Sequence, residues 1–76
     1  MLKSTSSDKY QTFLTWLKNQ RQDKGLTMRE VAEIIDEPHQ FISKIETGER
    51  RLDVFEYIQY CQALGINPTD GLKLLK

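Results

Sequence analysis

Signals that start and stop α-helices recur along this chain at short intervals. Thr27–Glu30 and Asp53–Glu56 have the capping-box pattern, in which a short polar side chain and an acid three residues later bond each other's backbone amides at a helix start. Gly25, Gly48 and Gly65 follow helical segments, where glycine readily takes the left-handed conformation that ends a helix. Over 76 residues with no strand pattern, this spacing predicts a compact all-α domain of four to five short helices.

The chain is expected to form a single domain behind a short arm. Residues 1–6 are polar and predict a flexible N-terminal arm, and Ser7 is a candidate cap for the first helix. Residues 7–76 then make one domain, because so short a chain is too small for two. No apolar run has the length of a signal peptide or membrane span, and the lone cysteine, Cys61, favours a reducing compartment. We therefore expect a cytoplasmic protein.

Hydrophobic periodicity predicts which face of each helix is buried. Apolar residues recur at helical spacing in four segments, and the predicted inward positions are Tyr10, Phe13, Leu14, Leu17, Val31, Ala32, Ile34, Ile35, Phe41, Ile42, Ile45, Val54, Tyr57, Ile58, Cys61 and Leu64. Pro38 suits the first turn of the third helix, which runs to about Thr47, and Asp36 or Glu37 is expected to cap that helix. Phe55 falls off the apolar stripe of the fourth helix, so we expect it at the surface.

The segment from residue 27 to about residue 47 contains two short helices joined by a brief turn. The second helix combines an apolar back with a polar front formed by His39, Gln40, Ser43 and Lys44. In a helix-turn-helix, the first helix crosses the DNA backbone and the second enters the major groove. Because Gln bonds adenine in bidentate fashion and Lys bonds guanine acceptors, this front predicts contact with base edges.

The charge of the chain argues against indiscriminate binding to nucleic acid. The formal net charge is zero, whereas proteins that bind nucleic acid indiscriminately are usually strongly basic. Lys44, Arg50 and Arg51 nevertheless lie close together in sequence. The two arginines are expected to reach phosphate oxygens, the alternative being a solvated loop. Asp36 and Glu37 place negative charge near the expected phosphates, which predicts weak non-specific binding.

Several short motifs resemble, in correct order and spacing, the Xre family of helix-turn-helix proteins, the type of Cro and the phage repressors. These motifs are Leu26-Thr27, Val31-Ala32, Ile42-Ser43-Lys44-Ile45-Glu46, Gly48-Glu49-Arg50-Arg51 and Ala63-Leu64-Gly65. The resemblance covers roughly residues 10–66 without gaps. It implies a lambda-repressor-like fold of five helices that binds double-stranded DNA as a homodimer, at a near-palindromic operator, to control transcription.

The resemblance also implies roles for individual residues. Base contacts are implied for His39, Gln40 and Lys44, and contacts to the DNA backbone or bases are implied for Ser43, Thr27, Met28, Arg50 and Arg51. Met28 stands where the family often has Gln and cannot donate to phosphate, so any contact there must come from its backbone N–H. Arg21 and Glu46 match a charged pair that many members bury, which would make them structural; the alternative is two separate surface charges.

A dimer contact is expected near the C-terminus, where a short fifth helix starts after Asn67 and Pro68. The predicted contact residues are Phe55, Leu72, Leu74 and Leu75, because exposed apolar residues often mark interfaces. The alternative for Phe55 is a partly covered side chain with no partner.

These features predict a sequence-specific transcription regulator of the repressor, controller or antitoxin type. No cofactor, metal, membrane or small-molecule ligand domain is expected, and the lone His39 is a poor metal ligand. The alternative function is a protein-protein interaction module that keeps the fold but binds DNA weakly. An enzyme is not expected, because the sequence has no nucleophile–base arrangement, metal-ligand spacing or Gly-rich phosphate loop.

Overall fold

A computed structural model of the protein describes residues 8–76, which form an all-helical fold. The helices are α1 (Asp8–Asp23), α2 (Met28–Ile34), α3 (His39–Thr47), α4 (Val54–Leu64) and α5 (Pro68–Leu72), followed by a 3-10 turn at Lys73–Leu75. The predicted fold class is confirmed. The arm predicted at residues 1–6 and the cap predicted at Ser7 lie outside the described residues. No helix within residues 8–76 combines the length and apolarity needed to cross a membrane.

Both predicted capping boxes are present. At the start of α2, the Glu30 amide donates to Thr27 Oγ1 at 3.1 Å, and the Thr27 amide donates to Glu30 Oε1 at 2.8 Å. At the start of α4, Asp53 and Glu56 make the same reciprocal bonds at 2.8 and 3.1 Å. Each box satisfies amides that a helix start would otherwise leave without a partner, so these two starts follow from local sequence alone.

The helix-turn-helix turn is closed by an aspartate in an unfavourable backbone conformation. Among residues 8–76, Asp36 is the only non-glycine residue with positive φ, at 60°. The Asp36 amide donates to the Glu33 carbonyl at 3.2 Å, and the Glu37 amide donates to the Ala32 carbonyl at 2.9 Å. These bonds end α2 in the same way that glycine ends a helix. Asp36 therefore holds a left-handed position that glycine would occupy without steric cost.

The start of α3 differs from the prediction. Pro38 is not in the first turn but at the cap position before it, with φ −64° and ψ 152°, and α3 begins at His39. The expected side-chain cap from Asp36 or Glu37 is wrong, because neither carboxylate makes a hydrogen bond to another described residue. The Pro38 carbonyl accepts the Phe41 amide at 3.0 Å, so backbone groups alone close the first turn.

One hydrophobic core joins α1 to α4. Its fully buried members are Phe13, Leu14, Leu17, Val31, Ala32, Ile42, Ile45, Tyr57, Tyr60, Cys61 and Leu64. Two predicted core positions are wrong: Ile34 is 57% exposed and Val54 is 78% exposed. Ile34 is the last residue of α2 and Val54 is the first of α4, and at these helix ends the rest of the described fold leaves both side chains uncovered. Phe55 is at the surface as predicted, at 70% exposure.

Candidate nucleic-acid interface

Helices α2 and α3 pack directly against each other, and the buried back of α3 holds it to the domain. Ile42 and Ile45 are fully buried, and Phe41 is partly covered at the edge of the core. These residues anchor one side of a nine-residue helix to the core. The opposite side of α3 is consequently presented at a fixed orientation.

The exposed side of α3 carries the residues that the sequence singled out as base contacts. His39, Gln40 and Lys44 are exposed, and their side chains make no hydrogen bond or ion pair with another residue of the described chain. Ser43 is half-buried, and its carbonyl accepts the Thr47 hydroxyl at 2.9 Å. The structure therefore leaves an imidazole, an amide and an ammonium group free on the exposed side of α3, with the half-buried Ser43 beside them.

Arg21 of α1 and Glu46 of α3 form a buried ion pair beneath that face. Arg21 Nε lies 2.7 Å from Glu46 Oε2, and Arg21 Nη2 lies 3.0 Å from Oε1. Their side chains are only 7% and 2% exposed. The bond from Glu46 raises the pKa of Arg21, so this guanidinium keeps its charge despite its burial. The pair fastens α3 to α1.

Two further groups complete this site, and sequence reasoning did not identify them. Arg21 Nη1 donates to the Leu26 carbonyl at 2.8 Å, and the Tyr60 hydroxyl donates to Glu46 Oε2. Burial, followed by the neighbouring Glu46 carboxylate, raises the pKa of Tyr60 and keeps its hydroxyl protonated as a donor. Because every polar atom of the pair has a partner, its burial leaves no unsatisfied group.

The residues at the start of α2 are placed differently from those of α3. Thr27 is exposed, but its side-chain oxygen already accepts the Glu30 amide, and its own amide is bonded to the Glu30 carboxylate. Met28 is half-buried and packs against the core. The groups that these two residues can still offer to DNA are the Thr27 hydroxyl hydrogen and the Met28 backbone N–H.

The loop after α3 holds one of its arginines in an intramolecular ion pair. Arg50 Nη1 and Nη2 each lie 2.7 Å from a carboxylate oxygen of Glu56, and the guanidinium carbon lies 4.7 Å from the centre of the Phe41 ring. The bond from Arg50 lowers the pKa of Glu56, and the reciprocal bond raises the pKa of Arg50. Arg51 is exposed in the same loop. Sequence reasoning placed Glu56 only in a capping box, because nothing local pairs it with a residue six positions earlier.

An apolar surface lies on another part of the fold, at the start of α4 and the C-terminal segment. Phe55 is exposed there with Val54, and Leu72 and Leu75 are 47% and 39% exposed, whereas Leu74 is half-buried. Val54, Leu72 and Leu75 border a small cavity of about 100 Å³. Of the predicted dimer residues, Leu72 and Leu75 therefore lie together beside the start of α4, and Phe55 is exposed one residue after Val54.

Comparison with known proteins agrees with this geometry. Residues 17–70 match the helix-turn-helix family model HTH_3. An XRE-family like protein from Pseudomonas syringae pv. tomato str. DC3000 has 40% sequence identity and a TM-score of 0.83, over 87% of this chain and 82% of that one. The clp gene regulator ClgR from C. glutamicum has 28% identity and a TM-score of 0.80, over 91% and 90%. No curated protein sequence matches the chain.

The family match spans well over half of the chain, and its bounds include α2, the turn at Asp36 and α3. The side-chain arrangement on α3 is the one that a helix-turn-helix needs, with an apolar back in the core and a free polar front. The chain therefore belongs to the Xre family of helix-turn-helix DNA-binding transcription regulators.

Proposed function

We propose that this regulator recognises a specific DNA site by placing α3 in the major groove. The observation that carries the proposal is the free polar front of α3, where His39, Gln40 and Lys44 are exposed and unpaired within the described chain. Their helix is anchored from behind by Ile42 and by the Arg21–Glu46 pair. A rigidly held helix positions its side chains well enough to discriminate base edges.

The chemistry of the three side chains suits different bases. Gln40 can donate to and accept from the adenine edge at once, and Lys44 can donate to the guanine acceptors. His39 lies in the first turn of α3, which is the part of a recognition helix that approaches base edges. Ser43 is half-buried beside these residues and suits a phosphate or a base contact.

We propose that phosphate contacts flank the exposed face of α3 formed by His39, Gln40 and Lys44. Arg50 and Arg51 lie in the loop that follows α3, and the Arg50 guanidinium lies over Phe41 of that helix. Thr27 and Met28 supply a hydroxyl hydrogen and a backbone N–H on the α2 side. Because Asp36 and Glu37 are exposed just before α3, we expect weak affinity for non-specific DNA and strong dependence on the correct site.

The operator is proposed to be near-palindromic and bound by a homodimer. Phe55, Leu72 and Leu75 are exposed apolar residues and Leu74 is half-buried, and a second copy of this chain is the partner proposed to cover them. Two copies on adjacent half-sites would place their α3 helices about 34 Å apart, one turn of B-DNA. Light scattering should report a dimer when protein and operator are mixed. A monomer at high concentration, with and without DNA, would contradict this part of the proposal.

The direct test of the proposed function is selection of bound duplexes from random-sequence DNA. We expect enrichment of one motif with two similar half-sites, because each monomer reads the same bases. Variant Gln40→Ala/Lys44→Ala should lose that motif while keeping the fold, as judged by circular dichroism. If the unmodified protein enriches no motif, sequence-specific recognition is refuted.

A protein-protein interaction module is the second candidate function, and two observations favour it. The net charge is zero, and Arg50, one of the few cations near α3, is already neutralised by Glu56. A module of this kind would bind duplexes weakly and without sequence preference. Failure to enrich any DNA motif, together with an unchanged fold, would therefore favour this second function.

A further inference from the structure

Arg50 is restrained on two sides, which is unusual for an arginine in a surface loop. Glu56 binds the end of the guanidinium through two bonds of 2.7 Å, and the guanidinium carbon lies over the Phe41 ring, 4.7 Å from its centre. Arg50 Nη1 also donates to the Arg51 carbonyl at 3.3 Å. A long flexible side chain with these restraints loses most of its freedom before any ligand arrives.

The restraints leave one edge of the guanidinium open. Glu56 uses the edge formed by Nη1 and Nη2, and no acceptor within the described chain takes the hydrogen on Nε. The edge formed by Nε and Nη2 is the one through which Arg21 binds both oxygens of Glu46, at 2.7 and 3.0 Å. In Arg50 this edge is free, and its shape fits two oxygens of a phosphate.

We propose that Glu56 is a positioning residue for DNA binding, which with Phe41 holds the open edge of Arg50 toward a backbone phosphate. This inference rests on the proposed function and names a residue that would act without touching DNA. Preorganisation reduces the entropy that Arg50 would lose on binding.

The direction in which Glu56→Gln changes DNA affinity distinguishes a positioning role of Glu56 from a purely electrostatic one. Glu56 is negative, so if only charge mattered, Glu56→Gln would strengthen binding to any duplex. If Glu56 positions Arg50, the same change weakens DNA binding, because an amide binds a guanidinium less strongly than a carboxylate does. Gln also preserves the capping box, since its side-chain oxygen can still accept the Asp53 amide.

Glu49→Gln is the matched control. Glu49 lies next to Arg50 in the same exposed loop and carries the same charge, but its carboxylate accepts the Thr47 hydroxyl and does not bond Arg50. Removing either charge changes the total charge of the chain equally. Any difference in DNA affinity between the two variants therefore reports what Glu56 does through Arg50.

The experiment measures binding of a short random-sequence duplex by fluorescence anisotropy at several salt concentrations. We expect Glu56→Gln to weaken binding about 3- to 10-fold, the effect of freeing one flexible side chain, and Glu49→Gln to leave it equal or stronger. In an Arg50→Ala background, Glu56→Gln should have no weakening effect. If Glu56→Gln strengthens binding as Glu49→Gln does, or still weakens it without Arg50, the inference is overturned.

A second measurement tests the inference without DNA. It is decisive even if the unmodified protein binds no duplex, a result that would refute the proposed function but not the positioning role of Glu56. The Arg50 Nε–H resonance is followed by NMR while inorganic phosphate is added. We expect a saturable shift in the unmodified protein and in Glu49→Gln, and a much smaller one in Glu56→Gln. An equal shift in all three proteins would show that Glu56 does not position the open edge.

Discussion

The guanidinium of Arg21 in α1 meets the carboxylate of Glu46 in α3 edge to edge, with Nε 2.7 Å from Oε2 and Nη2 3.0 Å from Oε1. Both side chains are almost completely buried. The Leu26 carbonyl accepts from Arg21 and the Tyr60 hydroxyl donates to Glu46, so α1, the turn after it, α3 and α4 meet at this pair. The orientation of the candidate reading helix therefore depends on an electrostatic contact as well as on the apolar core.

Removing one partner of the pair should cost far more stability than removing a surface charge. We expect Arg21→Met to lower the free energy of unfolding by about 3–5 kcal/mol, because the Glu46 carboxylate would remain buried without a cation. Urea denaturation measures the change. Lys18→Met, on the exposed side of the same helix, is the control and should change it by no more than about 0.5 kcal/mol. Equal losses in both variants would contradict a structural role.

The turn between α2 and α3 should become more stable when its aspartate is replaced by glycine. Asp36 has φ 60°, and its carboxylate lies at the negative end of the α2 dipole. We expect Asp36→Gly to raise the free energy of unfolding by about 1 kcal/mol. Glu37→Gly removes the same charge one residue later, where φ is not positive, and should stabilise less or destabilise. Thermal unfolding of both variants tests this, and equal gains would argue against backbone strain.

The proposed base-contacting residues, Gln40 and Lys44, should affect discrimination between DNA sites. On the selected operator, Gln40→Ala or Lys44→Ala should each cost about 1–3 kcal/mol of binding free energy and relax the preference at the base contacted. Competition binding against operators with single base changes measures both effects. Lys18→Ala is the control, since Lys18 lies on the exposed side of α1 and is assigned no DNA or dimer contact. Loss of affinity with unchanged base preference would mean that the residue does not contact a base.

The Arg50–Glu56 pair should make the free energy of unfolding depend on pH in the acidic range. The bond from Arg50 holds the pKa of Glu56 below its ordinary value of 4.5. The carboxyl of Glu56 is therefore protonated more readily in the unfolded state than in the folded state. The stability contributed by Glu56 is therefore fully present above pH 4.5 and is lost as the pH falls through the lower, folded-state pKa. Urea unfolding at a series of pH values should show the difference between the unmodified protein and Glu56→Gln shrinking in this range. The same comparison in an Arg50→Ala background should be much flatter, and an unchanged pH dependence there would assign the effect to another group.

The packing of α5 against α1 and α4 should depend on Gly71, which has no side chain. A Cβ at Gly71 would lie 2.5 Å from Cζ3 of Trp16 and 2.5 Å from the Tyr57 hydroxyl oxygen, which itself donates to the Pro68 carbonyl. We expect Gly71→Ala to destabilise the fold by about 1–3 kcal/mol through overpacking. Thr69→Ala, at an exposed position of the same helix, should have little effect. Thermal unfolding distinguishes the two, and equal midpoints would show that Trp16 moves aside freely.

Helix boundaries were predictable from the sequence wherever they depend on local chemistry. The capping boxes at Thr27 and Asp53 and the left-handed glycines at 25, 48 and 65 act over a few residues, so their effect can be recognised in the chain itself. The buried face of α3 was predictable for a related reason, because Ile42 and Ile45 recur at helical spacing. Pro38 was misplaced by one residue, since proline is compatible with both the cap and the first turn.

What the sequence determined by itself is therefore the set of helices, their ends and most of the core face, because these follow from short-range hydrogen bonding and periodicity. The tertiary structure alone decided which residues at helix ends are covered, leaving Val54 and Ile34 exposed. It also decided the partners of the charged groups, bringing Tyr60 to Glu46 and Glu56 to Arg50. Such contacts depend on how the helices cross in space, which no local pattern in the chain encodes.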